Sequence, residues 1–159
     1  SLADVGGRIK CDGDYIMKPN FKKLKLHDRL SNIVAILKLF PGITKEFVHH
    51  TLNTPNLKAL IIETYGSGNA PTASWFIDGL KEAIDKGLIV YNVTQCKSGS
   101  VEMGRYETSL DLNRIGVLSG HDITTESAIA KLMYLLGEGY TPEKTKELLQ
   151  TPIRGEMTI

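Results

Sequence analysis

From about Leu30 onward, the sequence alternates short β-rich apolar runs with stretches of helical periodicity. Three runs, NIVAILKLF, LKALIIET and LIVYNVT, have the composition of strands, and GVLSG is a short fourth. LKALIIET is a nearly continuous apolar run, which is typical of a strand buried on both faces of a parallel sheet. This order predicts an α/β fold: a Rossmann-like three-layer α/β/α sandwich with a short, mostly parallel sheet of about four strands.

The helices between these strands are marked by residues that cap helix ends. Thr44 is the predicted N-cap of the first helix, and Gly87 is the predicted C-terminal cap of the second. Thr124 or Thr125 caps the next helix, and Thr141, followed by a proline and an acid, opens the last. Between the third and fourth strands the chain is polar, and we expect a loop there.

The chain has 159 residues, 42% of them hydrophobic, which suits one compact α/β domain. Residues 1–30 lack the alternation, so we expect them to form an interdomain linker or the start of the domain, and 31–159 to form the domain itself. The net charge is +1, from 19 basic and 18 acidic residues. This balance gives no reason to expect nucleic acid or an anionic membrane as a partner.

No apolar run approaches the roughly 20 residues needed to span a bilayer, and the first residues lack the apolar region of a signal peptide. We therefore expect a cytoplasmic protein without a membrane partner. Cys11 and Cys96 lie far apart and lack CxxC spacing, which argues against a disulfide framework and against a zinc site. We expect no metal ion and no cofactor.

Ligands of parallel sheets bind at the carboxyl ends of the strands. Three loops there, TYGSGNAP, TQCKSGSVEMGRYETS and SGHDITTE, are rich in glycines, hydroxyls and amides. In the first, Pro71 stands where a dinucleotide-binding turn needs a glycine, which argues against a phosphate cradle. Two interpretations stay open. Either the loop is a tight turn, in which the glycines take positive φ, Asn69 caps and Pro71 starts a helix, or it presents the Asn69 amide to a small polar ligand.

No motif in the sequence forms an autonomous active site. There is no Gly-x-Ser-x-Gly elbow. His49 and His50 are adjacent rather than one helical turn apart, so they do not make a helical metal pair. Cys96 and His121 follow different strands and could converge as a thiol–imidazole dyad, which only their contact would show. We predict no catalytic residue in this chain.

Four strings, ALIIETYGSGNAP, VTQCKSGSVEMGRY, GVLSGHDITTESAIAKLMYLL and IRGEMT, together resemble the C-terminal domain of cytosolic type I bacterial L-asparaginases, in order and spacing from about Phe40. The resemblance implies a two-domain amidohydrolase that converts L-asparagine to L-aspartate and ammonia. Its nucleophilic threonine would lie in a larger N-terminal domain, whose TGGTI-like and GTDT-like loops do not occur here. Residues 31–159 would then be the C-terminal domain, and the chain alone would be inactive.

In this family the smaller domain completes the active site of a partner subunit, so the resemblance also implies a homodimer or tetramer of the full-length enzyme. Asn69, in the string YGSGN, matches a family asparagine that binds an amino-acid ligand, and Tyr65 and Gly68 belong to the same substrate- or effector-binding loop. By the same match, Thr94 and Cys96 line an effector pocket together with Asn69.

Glu102 lies where related enzymes supply a glutamate to the partner subunit, and Arg105 and Tyr106 are expected near the same interface. Regulated members carry an arginine at the position of Glu63, where it holds the carboxylate of the effector asparagine. A glutamate repels that anion. We therefore do not expect the effector site to work in the same way here.

Three other functions stay open from the sequence. One is an asparaginase-like subunit of a tRNA-dependent amidotransferase, against which the near-neutral charge argues mildly. The second is a stand-alone amino-acid-binding regulatory module. The third is a purely structural interaction domain.

Overall fold

A computed structural model describes residues 3–11, 13, 21, 23–97, 99–104 and 107–159, without the side chains of residues 4, 107 and 108. Its elements are, in chain order, β1 (Ala3–Val5), β2 (Ile9–Cys11), β3 (Val34–Lys38), α1 (Lys45–Leu52), β4 (Ala59–Thr64), α2 (Ser74–Asp85), β5 (Ile89–Thr94), α3 (Glu107–Arg114), β6 (Leu118–Ser119), α4 (Thr125–Gly137) and α5 (Pro142–Leu149). Strands β3, β4, β5 and β6 form one parallel sheet in that order, and β1 pairs with β2 in a separate antiparallel ribbon. The predicted four-stranded parallel sheet is confirmed.

Helices cover both faces of this sheet, so the predicted three-layer α/β/α sandwich is confirmed as well. Strand β4 is buried along nearly its whole length, as its apolar run predicts. Because side chains alternate along a strand, Leu60 and Ile62 pack in one core cluster with Phe76 and Leu80 of α2. Ile61 packs on the opposite face, in the cluster to which α4 and α5 contribute.

The structure shows the helix caps that the sequence predicts. Thr44 Oγ1 accepts a hydrogen bond from the backbone N–H three residues later at 3.3 Å, and Thr124 Oγ1 does the same at 3.2 Å. Thr125 is the first residue of α4, so Thr124 is the cap. Thr141 caps α5, and Gly87 follows α2 with φ at +98°.

The segment expected to be a loop between β5 and β6 contains helix α3. Leu112 is fully buried in the core cluster on the α2 side, whereas Leu110 is 39% exposed. Eight residues with so narrow an apolar stripe do not give a clear helical period in sequence. The packing of Leu112, rather than local sequence, accounts for this helix.

The chain that precedes β3 lies against the end of α4. The backbone N–H of Ser31 donates to the carbonyl oxygen of Met133 at 2.9 Å. His27 Nδ1 lies 3.0 Å from Glu138 Oε2. Residues 27–31 therefore contact the α/β domain, and the domain boundary near residue 30 stays a prediction.

Candidate functional site

The loops expected to bind a ligand meet at the carboxyl edge of the sheet. The parallel register pairs Lys38 of β3 with Glu63 of β4, and Thr64 of β4 with Thr94 of β5. Strand β6 ends at the same edge, beside Asn92. The ends of all four strands thus lie side by side, as parallel pairing requires.

Buried and partly buried polar side chains fix these strand ends. Thr64 Oγ1 donates to Asn92 Oδ1 at 2.7 Å, and both residues are fully buried. Gln95 Nε2 donates to the carbonyl oxygens of Leu39 at 2.7 Å and Glu63 at 2.9 Å. Because buried polar groups are costly unless they are paired, these bonds set the relative positions of β4 and β5.

The loop that follows β4 is a closed turn. The backbone of Tyr65 and that of Asn69 exchange two hydrogen bonds, at 2.9 and 2.8 Å. Gly66 and Gly68 between them have φ of +49° and +109°, which glycine adopts without strain. The glycine part of the tight-turn interpretation is confirmed, but its helix start is wrong: α2 begins at Ser74, after an N-cap that makes no side-chain bond.

Two neighbouring loops brace this turn. Thr94 Oγ1 donates to the carbonyl oxygen of Gly66. The backbone N–H of Glu102 donates to the carbonyl oxygen of Ser67 at 2.9 Å. A Cβ on Gly68 would lie 3.0 Å from Val101 Cγ1, so the turn and the 99–104 loop are in close contact. Among the predicted site residues, Tyr65, Gly68, Asn69 and Glu102 therefore belong to this braced turn and the loop beside it.

A polar cavity of about 450 Å³ lies next to the turn, between the ends of β3, β4 and β5 and the N-terminus of α4. It brings together three of the predicted site residues, Glu63, Thr94 and Cys96. It also contains residues that the sequence analysis did not select; those that carry charge are Lys38, Lys97, Asp122 and Glu126.

Glu63 is tied to two other elements. Its Oε2 lies 3.3 Å from Lys38 Nζ, and its Oε1 accepts a hydrogen bond from Thr125 Oγ1 at 2.6 Å. Its side chain is only 13% exposed. The sequence analysis did not predict that Lys38 or Thr125 would contact Glu63. The one indirect signal was that Lys38 is the last residue of the strand that pairs in register with β4.

The cavity carries charges of both signs at neutral pH. Partial burial raises the pKa of Asp122, but hydrogen bonds from the Thr158 backbone and side chain and the nearby His121 outweigh this and hold the pKa below its usual value. Lys38 and Lys97 on the wall of the same cavity supply positive charge. Opposite charges in one cavity suit a small zwitterion such as an α-amino acid.

The Cys96–His121 dyad that the sequence left open finds no support in the geometry. Within the described part of the chain, Cys96 Sγ makes no hydrogen bond to His121, so the suggested dyad is not formed. Among residues whose placement is described, no three histidine, cysteine, aspartate or glutamate side chains could hold a metal ion. None of the described helices has the length and apolarity to cross a lipid bilayer. Arg105 and Tyr106 lie outside the described residues.

Residues 33–149 match the family described as the Glutaminase/Asparaginase C-terminal domain. L-asparaginase 1 of Escherichia coli strain K12 is 39% identical over 136 residues, covering 86% of this chain and 40% of that protein. The human 60 kDa lysophospholipase is 39% identical over 159 residues, covering 99% of this chain and 27% of that protein. The chain superposes on the crystal structure of L-asparaginase I from Vibrio cholerae with a TM-score of 0.87 and 36% sequence identity, covering 99% of this chain and 48% of that chain.

The chain thus spans less than half the length of each of these relatives. The family match includes all four strands of the parallel sheet and the loops at its carboxyl edge. The resemblance to type I asparaginases is confirmed. This chain belongs to the Glutaminase/Asparaginase C-terminal domain family.

Proposed function

We propose that the chain is the C-terminal domain of a cytoplasmic L-asparaginase, an amidohydrolase that converts L-asparagine to L-aspartate and ammonia. The observation that carries the proposal is the superposition of nearly the whole chain on L-asparaginase I, with a TM-score of 0.87 at 36% identity. The other domain of such an enzyme supplies the nucleophile. This chain contributes to binding rather than to bond cleavage.

The turn of residues 65–69 is the proposed ligand-binding element. A primary amide such as that of Asn69 both donates and accepts hydrogen bonds, which suits the carboxylate and the ammonium of an amino acid. The bracing bonds from Thr94 and from the Glu102 backbone hold the turn in place before a ligand arrives. Pre-positioning of this kind lowers the entropic cost of binding.

The cavity beside the turn is the proposed effector pocket, with Thr94 and Cys96 on its wall. Glu63 stands where an arginine would hold the effector's carboxylate, and it is already paired with Lys38 and Thr125. We therefore expect this pocket to bind free L-asparagine weakly. Calorimetric titration of the full-length protein that showed a second, tight asparagine site here would contradict this.

We further propose that the full-length enzyme is a homodimer or tetramer, in which the 65–69 turn and Glu102 face the active site of a partner subunit. Light scattering coupled to gel filtration would measure the assembly. Mixing two inactive full-length variants, one altered in each domain, should restore activity if sites are shared between subunits. A monomer with full activity would contradict the shared site.

The central test is ammonia release from L-asparagine by the full-length protein. Asn69→Ala should lower kcat/KM at least about tenfold, because one hydrogen bond to a charged ligand group contributes roughly 1.5–3 kcal/mol. The control is Asn113→Ala, which removes an exposed amide on α3 away from this edge. Unchanged kinetics in Asn69→Ala would support a structural role for the domain instead.

The same protein preparation tests the alternatives. Hydrolysis of glutamine that depends on charged tRNA would favour the amidotransferase subunit. Amino-acid binding without hydrolysis, with no second domain encoded upstream, would favour a regulatory module. The 159-residue chain alone should release no ammonia, and measurable turnover by it would overturn the assignment of catalysis to the other domain.

A further inference from the structure

The segment after α5 contains IRGEMT, one of the four strings that carry the family resemblance, yet no catalytic or binding role uses it. Residues 150–159 form no helix or strand. Even so, Met157 is only 6% exposed and packs in the core cluster on the α4 and α5 side. Irregular segments usually lie on the surface, so this one is held in place by specific contacts.

The first contact is a buried lysine. Lys131, on α4, has a side chain that is 4% exposed, and its ammonium lies 2.7 Å from Glu156 Oε1. The same Nζ donates to the carbonyl oxygens of Thr151 at 2.7 Å and Leu149 at 3.2 Å. A buried ammonium is costly unless all its protons are paired. The segment therefore has to follow the path that supplies these acceptors.

The second contact is the turn that Glu156 closes. Its carboxylate accepts from the backbone N–H of Ile153 at 3.0 Å and from that of Arg154 at 2.6 Å. Burial raises the pKa of Glu156, but the Lys131 ammonium and these backbone donors outweigh it and lower the pKa to about 2. The carboxylate is therefore ionised at neutral pH and fixes residues 153–156.

The third contact joins this segment to the polar cavity. Two residues beyond Glu156, the backbone N–H of Thr158 donates to Asp122 Oδ1 at 2.6 Å. Asp122 is on the cavity wall, in the loop between β6 and α4. On its other side the same wall is held by the hydrogen bond from Thr125 to Glu63. Two hydrogen bonds thus hold the loop 120–125, one to Glu63 of β4 and one from Thr158 in the segment 153–158.

We propose that residues 153–158 act as a strap that positions the 120–125 wall of the cavity, with Lys131 and Glu156 as its positioning residues. The strap acts through Asp122 and touches no ligand itself. The inference concerns the shape of the cavity and does not require that its ligand be L-asparagine.

Hydrogen exchange on the full-length protein tests the strap directly. The reporters are the backbone amides of Gly120, which donates to Asn92 at 2.8 Å, and Ile123, which donates to Gly120 at 3.0 Å. Glu156→Gln should raise exchange at these amides at least about tenfold more than at the amides of β4, which report only the loss of global stability. The matched control is Glu147→Gln, the same change in a solvent-exposed pair with Lys144 on α5, and it should leave them unchanged.

A second pair of variants decides the matter if Glu156→Gln does not fold. Asp122 is exposed, so Asp122→Ala removes the link without opening the core. It should raise exchange at Ile123 and at Thr158 together, because coupling between two groups is reciprocal. Asp122→Asn keeps an acceptor oxygen and should restore slow exchange.

Three results would overturn the proposal. One is slow exchange at Gly120 and Ile123 in both Glu156→Gln and Asp122→Ala. Another is an equal rise in β4, which would show general destabilisation rather than local positioning. The last is additive effects on exchange when Glu156→Gln and Asp122→Ala are combined in one protein, since residues of one network should show non-additive effects. None of these results depends on asparaginase activity.

Discussion

At the scale of single residues, backbone conformation and close contact are separate constraints on glycine. Gly68 combines a φ of +109° with a neighbour, Val101, only 3.0 Å from the place of a Cβ. Gly87 has a similar φ of +98°, but nothing lies within 4 Å of its Cβ position. A comparison of alanine substitutions at Gly68 and Gly87 therefore separates the free-energy cost of a positive φ from the cost of crowding by a neighbouring side chain.

Gly68→Ala should therefore destabilise the protein more than Gly87→Ala. We expect about 1 kcal/mol for Gly87→Ala, from backbone strain alone, and about 2–3 kcal/mol for Gly68→Ala, from strain plus displacement of the Val101 side chain. Urea denaturation followed by circular dichroism measures both. Equal costs at the two positions would show that the 65–69 turn and the 99–104 loop are not in tight contact.

Glu63 shows that the role of a charged side chain also depends on the residues around it. In sequence it is an unpaired acid in place of an expected arginine. In the structure its carboxylate connects β3, β4 and α4 through Lys38 and Thr125. The identity of the residue was visible in the sequence, but its role as a connection between three elements was not.

At the scale of elements, helix α3 shows how packing stabilises a short helix that the sequence does not predict. Its buried side chain Leu112 belongs to the core cluster that includes α2 and β4, whereas Leu110 on the same helix is 39% exposed. A helix of eight residues is not stable by itself in water. Contact with the core has to stabilise it.

Leu112→Ala should cost about 2–5 kcal/mol, because it removes a fully buried side chain and leaves a cavity. Leu110→Ala makes the same chemical change at the exposed position and should cost less than about 1 kcal/mol. Chemical denaturation measures both free energies of unfolding. A small effect at Leu112 would mean that α3 is only loosely attached to the domain.

At the scale of the whole molecule, the pair of buried Lys131 and partly buried Glu156 connects the segment after α5 to the core. The pKa of Glu156 falls from its ordinary value of 4.5 to about 2 in the folded state. A depressed pKa stabilises the folded protein above the pKa of the unfolded state, near 4.5, and this contribution is lost as the pH falls toward 2.

Glu156→Gln should therefore lower the free energy of unfolding at pH 7 by about 3 kcal/mol, since a tenfold change in a dissociation constant is about 1.4 kcal/mol. The difference from the natural protein should shrink between pH 4.5 and pH 2. Thermal unfolding measured across this range gives the profile, with Glu147→Gln, which alters an exposed pair, as the control. A difference that is independent of pH would show that Glu156 acts through packing rather than charge.

The amino-acid sequence by itself determined the four strands of the parallel sheet, the helices other than α3 and the helix caps, because apolar periodicity and capping chemistry are local properties. It also pointed to the three loops at the carboxyl edge of the sheet, where Glu63 of β4, Thr94 of β5 and Cys96 converge on one cavity. The tertiary structure alone decided what surrounds them. Lys38, Thr125 and Asp122 reach this cavity from distant parts of the chain, and the strap reaches it through Thr158. Such contacts depend on packing between elements, which no local pattern of residues encodes.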